Sequence, residues 1–106
     1  MQMIRLYTGD DGVTHLEDME PKDMRFSASE IVIRSAATNL PSPWHNAPLR
    51  QVLIVRTGNV RVEVEDGAVR QLGPGDMVLE EDLTGKGHRG IPVDDQPVVL
   101  SAVVLE

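Results

Sequence analysis

Apolar and polar positions alternate most clearly at residues 60–64, where Val60, Val62 and Val64 are separated by Arg61 and Glu63. That is the period-two pattern of a strand with one wet face. Asp66-Gly67 follows, a strong hairpin signal of the type I′ kind, and residues 68–72 form the natural returning strand. Residues 51–55, Gln-Val-Leu-Ile-Val, are apolar on both faces and predict a strand covered on both sides. Thr57-Gly58-Asn59 turns the chain between these segments, and Gly73-Pro74-Gly75-Asp76 makes another tight turn before Met77-Val78-Leu79. Asp76 is read there as a turn residue hydrogen-bonded to its own backbone. Ile31, Val32 and Ile33 favour a strand within residues 25–38, ending where Asn39, Pro41, Ser42 and Pro43 break regular structure. Residues 4–7 read as a short edge strand before the turn cluster Gly9-Asp10-Asp11-Gly12, and residues 15–24 as an acidic surface loop with at most one helical turn. The last strand or pair of strands comes from residues 91–105, interrupted at Asp94-Asp95-Gln96-Pro97. About eight short strands with regular turn signals and no strong helix predict an all-β, antiparallel sandwich or barrel.

Composition narrows this picture. A chain of 106 residues suits one domain, read as a strand-and-loop extension over residues 1–25 and a barrel over residues 26–106. Hydrophobic residues at 41% and charged residues at 25% are ordinary for a soluble globular protein, which argues against wholesale disorder. Tyr7, Phe26 and Trp44 are the only aromatics, so Val, Leu, Ile and Met must build the core and a base-stacking platform is not expected. The net charge of −7 also disfavours nucleic acid, because a polyanion is repelled at long range. With no cysteine, disulfides, thiolate metal sites and thiol nucleophiles are excluded. No stretch has the apolar length of a membrane span, and the first residues lack a secretory pattern, so a cytoplasmic location is expected.

The candidate chemistry lies between two histidines, His45 and His88, at the ends of this strand-rich stretch. If residues 45–55 stay extended, His45, Ala47, Gln51, Leu53 and Val55 share one face, although Pro48 is able to break that parity. Two imidazoles, the Gln51 amide oxygen and the Asp82 carboxylate suit a divalent first-row metal such as Fe, Mn, Ni, Cu or Zn. The competing reading makes His45 and His88 separately hydrogen-bonded pocket histidines. Trp44 either walls a ligand pocket beside His45 or caps one end of the fold. Lys86, in a glycine-flanked loop, is a candidate for an anionic ligand, and His15 is expected at the surface. Within Glu80-Glu81-Asp82 only Asp82 is expected at the site, the run otherwise reading as a solvated loop. By parity Arg50 and Arg56 face away from the interior. No nucleophile elbow, phosphate loop or carboxylate pair placed for glycoside hydrolysis is present.

These residues resemble the motifs of a small single-domain bacterial cupin, an antiparallel jelly-roll β-barrel. The first cupin motif places a His-x-His pair, a Glu and a Gly where this chain has His45, Ala47, Gln51 and Gly58; the second histidine and the glutamate are thus replaced. Gly73-Pro74-Gly75-Asp76, the glycines Gly85 and Gly87, and His88 match the second motif after a short insertion. The resemblance covers residues 26–106 and implies a barrel that binds a divalent metal, a small organic ligand, or both. As an enzyme, such a protein would be a metal-dependent dioxygenase or isomerase; otherwise it would be a metal-free metabolite binder or a dimeric structural module. A homodimer is expected, because the apolar strands offer a sheet face for pairing.

Overall fold

The computed structural model describes residues 1–20, 22–35 and 42–106. Among them are nine strands and no helix: β1 (Met3–Thr8), β2 (Thr14–Met19), β3 (Ala28–Ser35), β4 (Gln51–Thr57), β5 (Val60–Val64), β6 (Val69–Leu72), β7 (Met77–Glu81), β8 (His88–Pro92) and β9 (Val99–Leu105). They form a six-stranded sheet in the order β2-β1-β7-β4-β9-β3 and a three-stranded sheet in the order β6-β5-β8. The sheets do not close on one another; β2 and β3 are the edges of the larger, β6 and β8 of the smaller. All pairs are antiparallel except β1 with β7, which run parallel from Met3 beside Met77 to Tyr7 beside Glu81. No helix among the described residues is long and apolar enough to cross a membrane.

Strand parity decides what each face buries. Ile4, Leu6, Val55, Val60, Val62, Val64, Leu72 and Val78 meet between the two sheets. The opposite face of the larger sheet has its own apolar cluster of Met3, Val52, Leu79 and Leu105, with Met19, Met24, Ile54, Met77 and Val103 packed on it. β4 is therefore apolar on both faces because both are covered, as its sequence predicts. β5 keeps Val60, Val62 and Val64 inside, while Arg61 and Glu63 pair on the wet face at 2.9 Å.

Three local readings are corrected. Residues 15–24 are not a loop at their start: β2 pairs with β1 from Thr8 beside Thr14 to Met3 beside Met19. Its acidic residues fit an edge strand, where charge on the wet face is tolerated; Asp18 binds Arg70 at 2.6 Å. β1 is in turn no edge, since β2 and β7 flank it. The hairpin at Asp66-Gly67 is not type I′, because only the glycine has positive φ, 96°. Gly67 N donates to the Val64 carbonyl and Val64 N to the Ala68 carbonyl, each at 3.1 Å, the pattern of a type I turn followed by a left-handed glycine. The turn at Gly73-Pro74-Gly75-Asp76 forms as read: Asp76 N donates to the Gly73 carbonyl at 3.0 Å, and Gly73 N to the Asp76 carboxylate at 2.9 Å. The breaks expected at Asn39 and Pro41 lie outside the described residues.

Ile4 is fully buried between the sheets. Ile4→Ala should cost about 2–5 kcal/mol, read as a lower denaturant midpoint at unchanged slope; a loss below about 0.5 kcal/mol, the range of surface substitutions, would show that this side chain is not part of the core.

Candidate functional site

β7 builds the site by alternation. Val78, Glu80 and Asp82 project to one side and Leu79 and Glu81 to the other. Glu81 is thereby turned out, where Arg5 and Arg50 each donate to one of its oxygens at 2.6 Å. Glu80 is turned in, 4% exposed, and lies beside Gln51 in the β4–β7 register. The Gln51 amide donates to Glu80 Oε1 at 2.6 Å.

His88 opens β8 on the facing sheet and reaches back to this pair. Its Nε2 lies 3.0 Å from Glu80 Oε2 and its Nδ1 2.6 Å from Asp82 Oδ2. Asp82 is completely buried and also accepts from the Thr14 hydroxyl at 3.2 Å. Its Oδ1 has no hydrogen-bond partner, a desolvation cost of about 1–3 kcal/mol that the contact with His88 must offset. Burial by itself pulls the imidazole toward its neutral form, but the hydrogen bonds and charges of Asp82 and Glu80 outweigh it. The pKa of His88 is raised from 6.5 to about 9, so at neutral pH the ring is an imidazolium donating from both nitrogens.

His45 is held against His88 by its backbone. Each residue's N–H donates to the other's carbonyl at 2.9 Å, forming an isolated antiparallel bridge, and the ring centroids are 4.5 Å apart. His45 Nδ1 lies 2.8 Å from the Pro43 carbonyl; a carbonyl only accepts, so Nδ1 carries the proton and Nε2 is the acceptor nitrogen. Gly87 makes the bridge possible. With φ of 80°, it lies so close to the His45 carbonyl that any Cβ would collide with that backbone.

A cavity of about 250 Å³ lies between the sheets, walled by such residues as Leu6, Leu53, Val62 and Val78, with His45, Gln51, Glu80 and His88 among its polar lining. The structure thus brings His45, Gln51 and His88 to one cavity. It places Asp82 behind His88, where it orients the ring. Trp44 and Lys86 do not line the cavity: Trp44 is 45% exposed under the Arg89 guanidinium, 4.9 Å from the ring centroid, and Lys86 is exposed with its backbone N–H on the Gly12 carbonyl. His15 is pinned at the surface between Asp11 and Asp66. The residue missed by sequence reasoning is Glu80, and its signal was parity, since it shares the inward phase of Val78.

Among the described residues no group of three or more His, Cys, Asp or Glu side chains is gathered in metal-holding geometry. Both nitrogens of His88 face carboxylates, and Glu80 is shared between Gln51 and His88. His45 Nε2, His88 Nε2 and Glu80 are nonetheless the donor types a divalent metal takes, with Asp82 placed as the outer partner of His88. As the structure stands Glu80 occupies His88 Nε2, so these residues would take an ion only in place of that contact.

No family model matches the chain, and no curated protein matches it. Among solved structures, it is similar to the crystal structure of protein NMB1881 from Neisseria meningitidis, with a TM-score of 0.50 and 14% identity over 80% of this chain and 88% of that one. At that identity the likeness concerns the fold alone.

Two outcomes are expected. The raised pKa of His88 means that its protonated form stabilises the fold fully below about pH 6.5, and that this contribution is lost as pH rises through about 9. The thermal midpoint should fall across that window in the wild type and lose that slope in His88→Gln; an unchanged slope would rule out His88 as the titrating group. Gly87→Ala should cost about 1–3 kcal/mol through its positive φ and shift the His45 and His88 ring resonances in NMR spectra, because it breaks the bridge.

Proposed function

We propose that this chain is a cupin-like jelly-roll protein that binds a small organic ligand between its sheets. The observation that carries this reading is the apolar cavity whose polar groups include four functional side chains. At about 250 Å³ it falls just under the ~300–1,000 Å³ usual for ligand sites, which favours a compact ligand. At the end of the cavity formed by His45, Gln51, Glu80 and His88 the available polar atoms are mostly acceptors: the Gln51 carbonyl oxygen, His45 Nε2 and the Glu80 carboxylate, while the His88 protons are spent on Asp82 and Glu80; Arg34 lines another part of the cavity. A ligand with an apolar body and a hydroxyl or amine head matches that end, where a carboxylate head would meet Glu80 directly.

A second reading is favoured by the way the two rings are tethered. Nδ1 of His45 is tied to Pro43 and Nδ1 of His88 to Asp82, so both rings direct Nε2 away from those tethers. In that reading His45, His88 and Glu80, with Gln51 beside them, would hold a divalent metal of the Fe, Mn, Ni, Cu or Zn group. The ion would supply Lewis-acid or redox chemistry of the dioxygenase or isomerase kind. Gln51 and Asp82 would then position Glu80 and His88.

Calorimetric titration with short-chain alcohols, amines and carboxylates, before and after chelation, tests the proposal. Alcohols or amines should bind with equal affinity in both conditions, and Val62→Phe, which fills the cavity, should weaken them at least about tenfold, as expected when a buried apolar contact is replaced by a clash. Binding lost on chelation and restored by one metal would transfer the assignment to the second reading. No binding by the whole panel, with or without metal, would overturn the ligand proposal.

A further inference from the structure

The two edges of the larger sheet are treated differently. β2 carries Glu17 and Asp18 and is tied to the smaller sheet by Asp18–Arg70 at 2.6 Å and His15–Asp66 at 3.1 Å. Charge and a covering hairpin are the usual protections of a sheet edge. Among the described residues β3 has neither on its apolar face. Ile31 and Ile33 are 68% and 67% exposed, and only Val32 in this strand is half-buried. They lie level with Val103 and Ser101 of β9 on the outer face, in continuity with the apolar cluster of Val52, Ile54, Met77 and Leu79. Such an edge is a template for another strand.

The sequence of β3 says which strand. Glu30-Ile31-Val32-Ile33-Arg34 is symmetric in character about Val32 and opposite in charge at its ends. When this strand is paired antiparallel with a second copy of itself about a two-fold axis at Val32, Glu30 falls opposite Arg34 of the second copy, Ile31 opposite Ile33, and Val32 opposite Val32. Two cross-strand ion pairs and two isoleucine pairs form at once, each of the kind that stabilises neighbouring strands. A parallel in-register pairing would instead set Glu30 against Glu30 and Arg34 against Arg34. We propose that β3 is the interface of a two-fold homodimer, joining two six-stranded sheets edge to edge through the Glu30–Arg34 register. Glu30 and Arg34 share the face toward the cavity, and Arg34 is part of the cavity lining. The second copy's Glu30 therefore sits at the cavity rim, next to Arg34.

Sedimentation equilibrium on the full chain should give twice the chain mass at high micromolar concentration. Glu30→Arg and Arg34→Glu, each placing like charges opposite one another twice per dimer, should each raise the dissociation constant at least about tenfold. The double variant Glu30→Arg with Arg34→Glu restores opposite charges and should return to within about threefold of wild type. Circular dichroism of these exposed-residue variants reports the fold separately. An independent measurement uses the absence of cysteine: Val32→Cys should oxidise to a disulfide-linked dimer, whereas Val69→Cys, on the edge of the smaller sheet, should not. A wild-type chain that stays monomeric to millimolar concentration would overturn the proposal. So would a dimer indifferent to both single reversals, or a Val32→Cys protein that cross-links no faster than Val69→Cys.

Discussion

The contact on which the molecule turns is the imidazolium of His88 held between Asp82 and Glu80. β7, which carries Glu80 and leads into Asp82, belongs to the larger sheet; β8, which begins at His88, belongs to the smaller. The ion pairs therefore join the two layers at the polar part of the cavity, and the backbone bridge from His45 to His88 adds a second tie at the same level. Buried charges are tolerated only when paired and hydrogen-bonded. Here the ring uses both nitrogens, Glu80 uses both oxygens, and Asp82 uses one. Pulling the sheets apart would strand a charge on each side, which makes this end of the cavity a fixed wall and leaves the apolar remainder to accommodate a guest.

That closure also shapes the chemistry. Because His88 spends its protons inward, it offers none to a ligand while Glu80 and Asp82 hold it, and this end of the cavity presents acceptors. A metal would need His88 Nε2, and would therefore compete with Glu80 for a proton-bearing nitrogen. The balance between the two readings of the site thus rests on one bond, the 3.0 Å contact between His88 and Glu80.

Much of the strand pattern was legible because periodicity in β4 and β5 reports directly on which faces are covered. β2 was not, since edge strands tolerate the acidic residues that make a segment read as a loop, and its pairing with β1 is a tertiary fact. The parallel pairing of β1 with β7 spans most of the chain and leaves no local trace. Of the site, His45, Gln51 and His88 were legible from position and parity. Glu80 was hidden in an acidic run whose three members have three different fates: one in the cavity, one outside between two arginines, one buried behind a histidine. Only the alternation Val78, Glu80, Asp82 separates them. Trp44 and Lys86 lie one and two residues before His45 and His88 in sequence but outside the cavity, because the chain bends at both places.

β3 links these themes. In a strand, neighbouring residues serve opposite faces, so Ile31 and Ile33 answer to the outer surface of the larger sheet while Glu30, Val32 and Arg34 answer to the cavity side. An edge left apolar outside and oppositely charged inside is poorly suited to water and well suited to its own antiparallel image. If two copies share that edge, Arg34 gains a carboxylate partner at the rim, and the cation that lines the cavity is neutralised while the acidic end at Glu80 and Asp82 stays as it is. Assembly and ligand selection would then be coupled through a single side chain, with the backbone of both sheets unchanged.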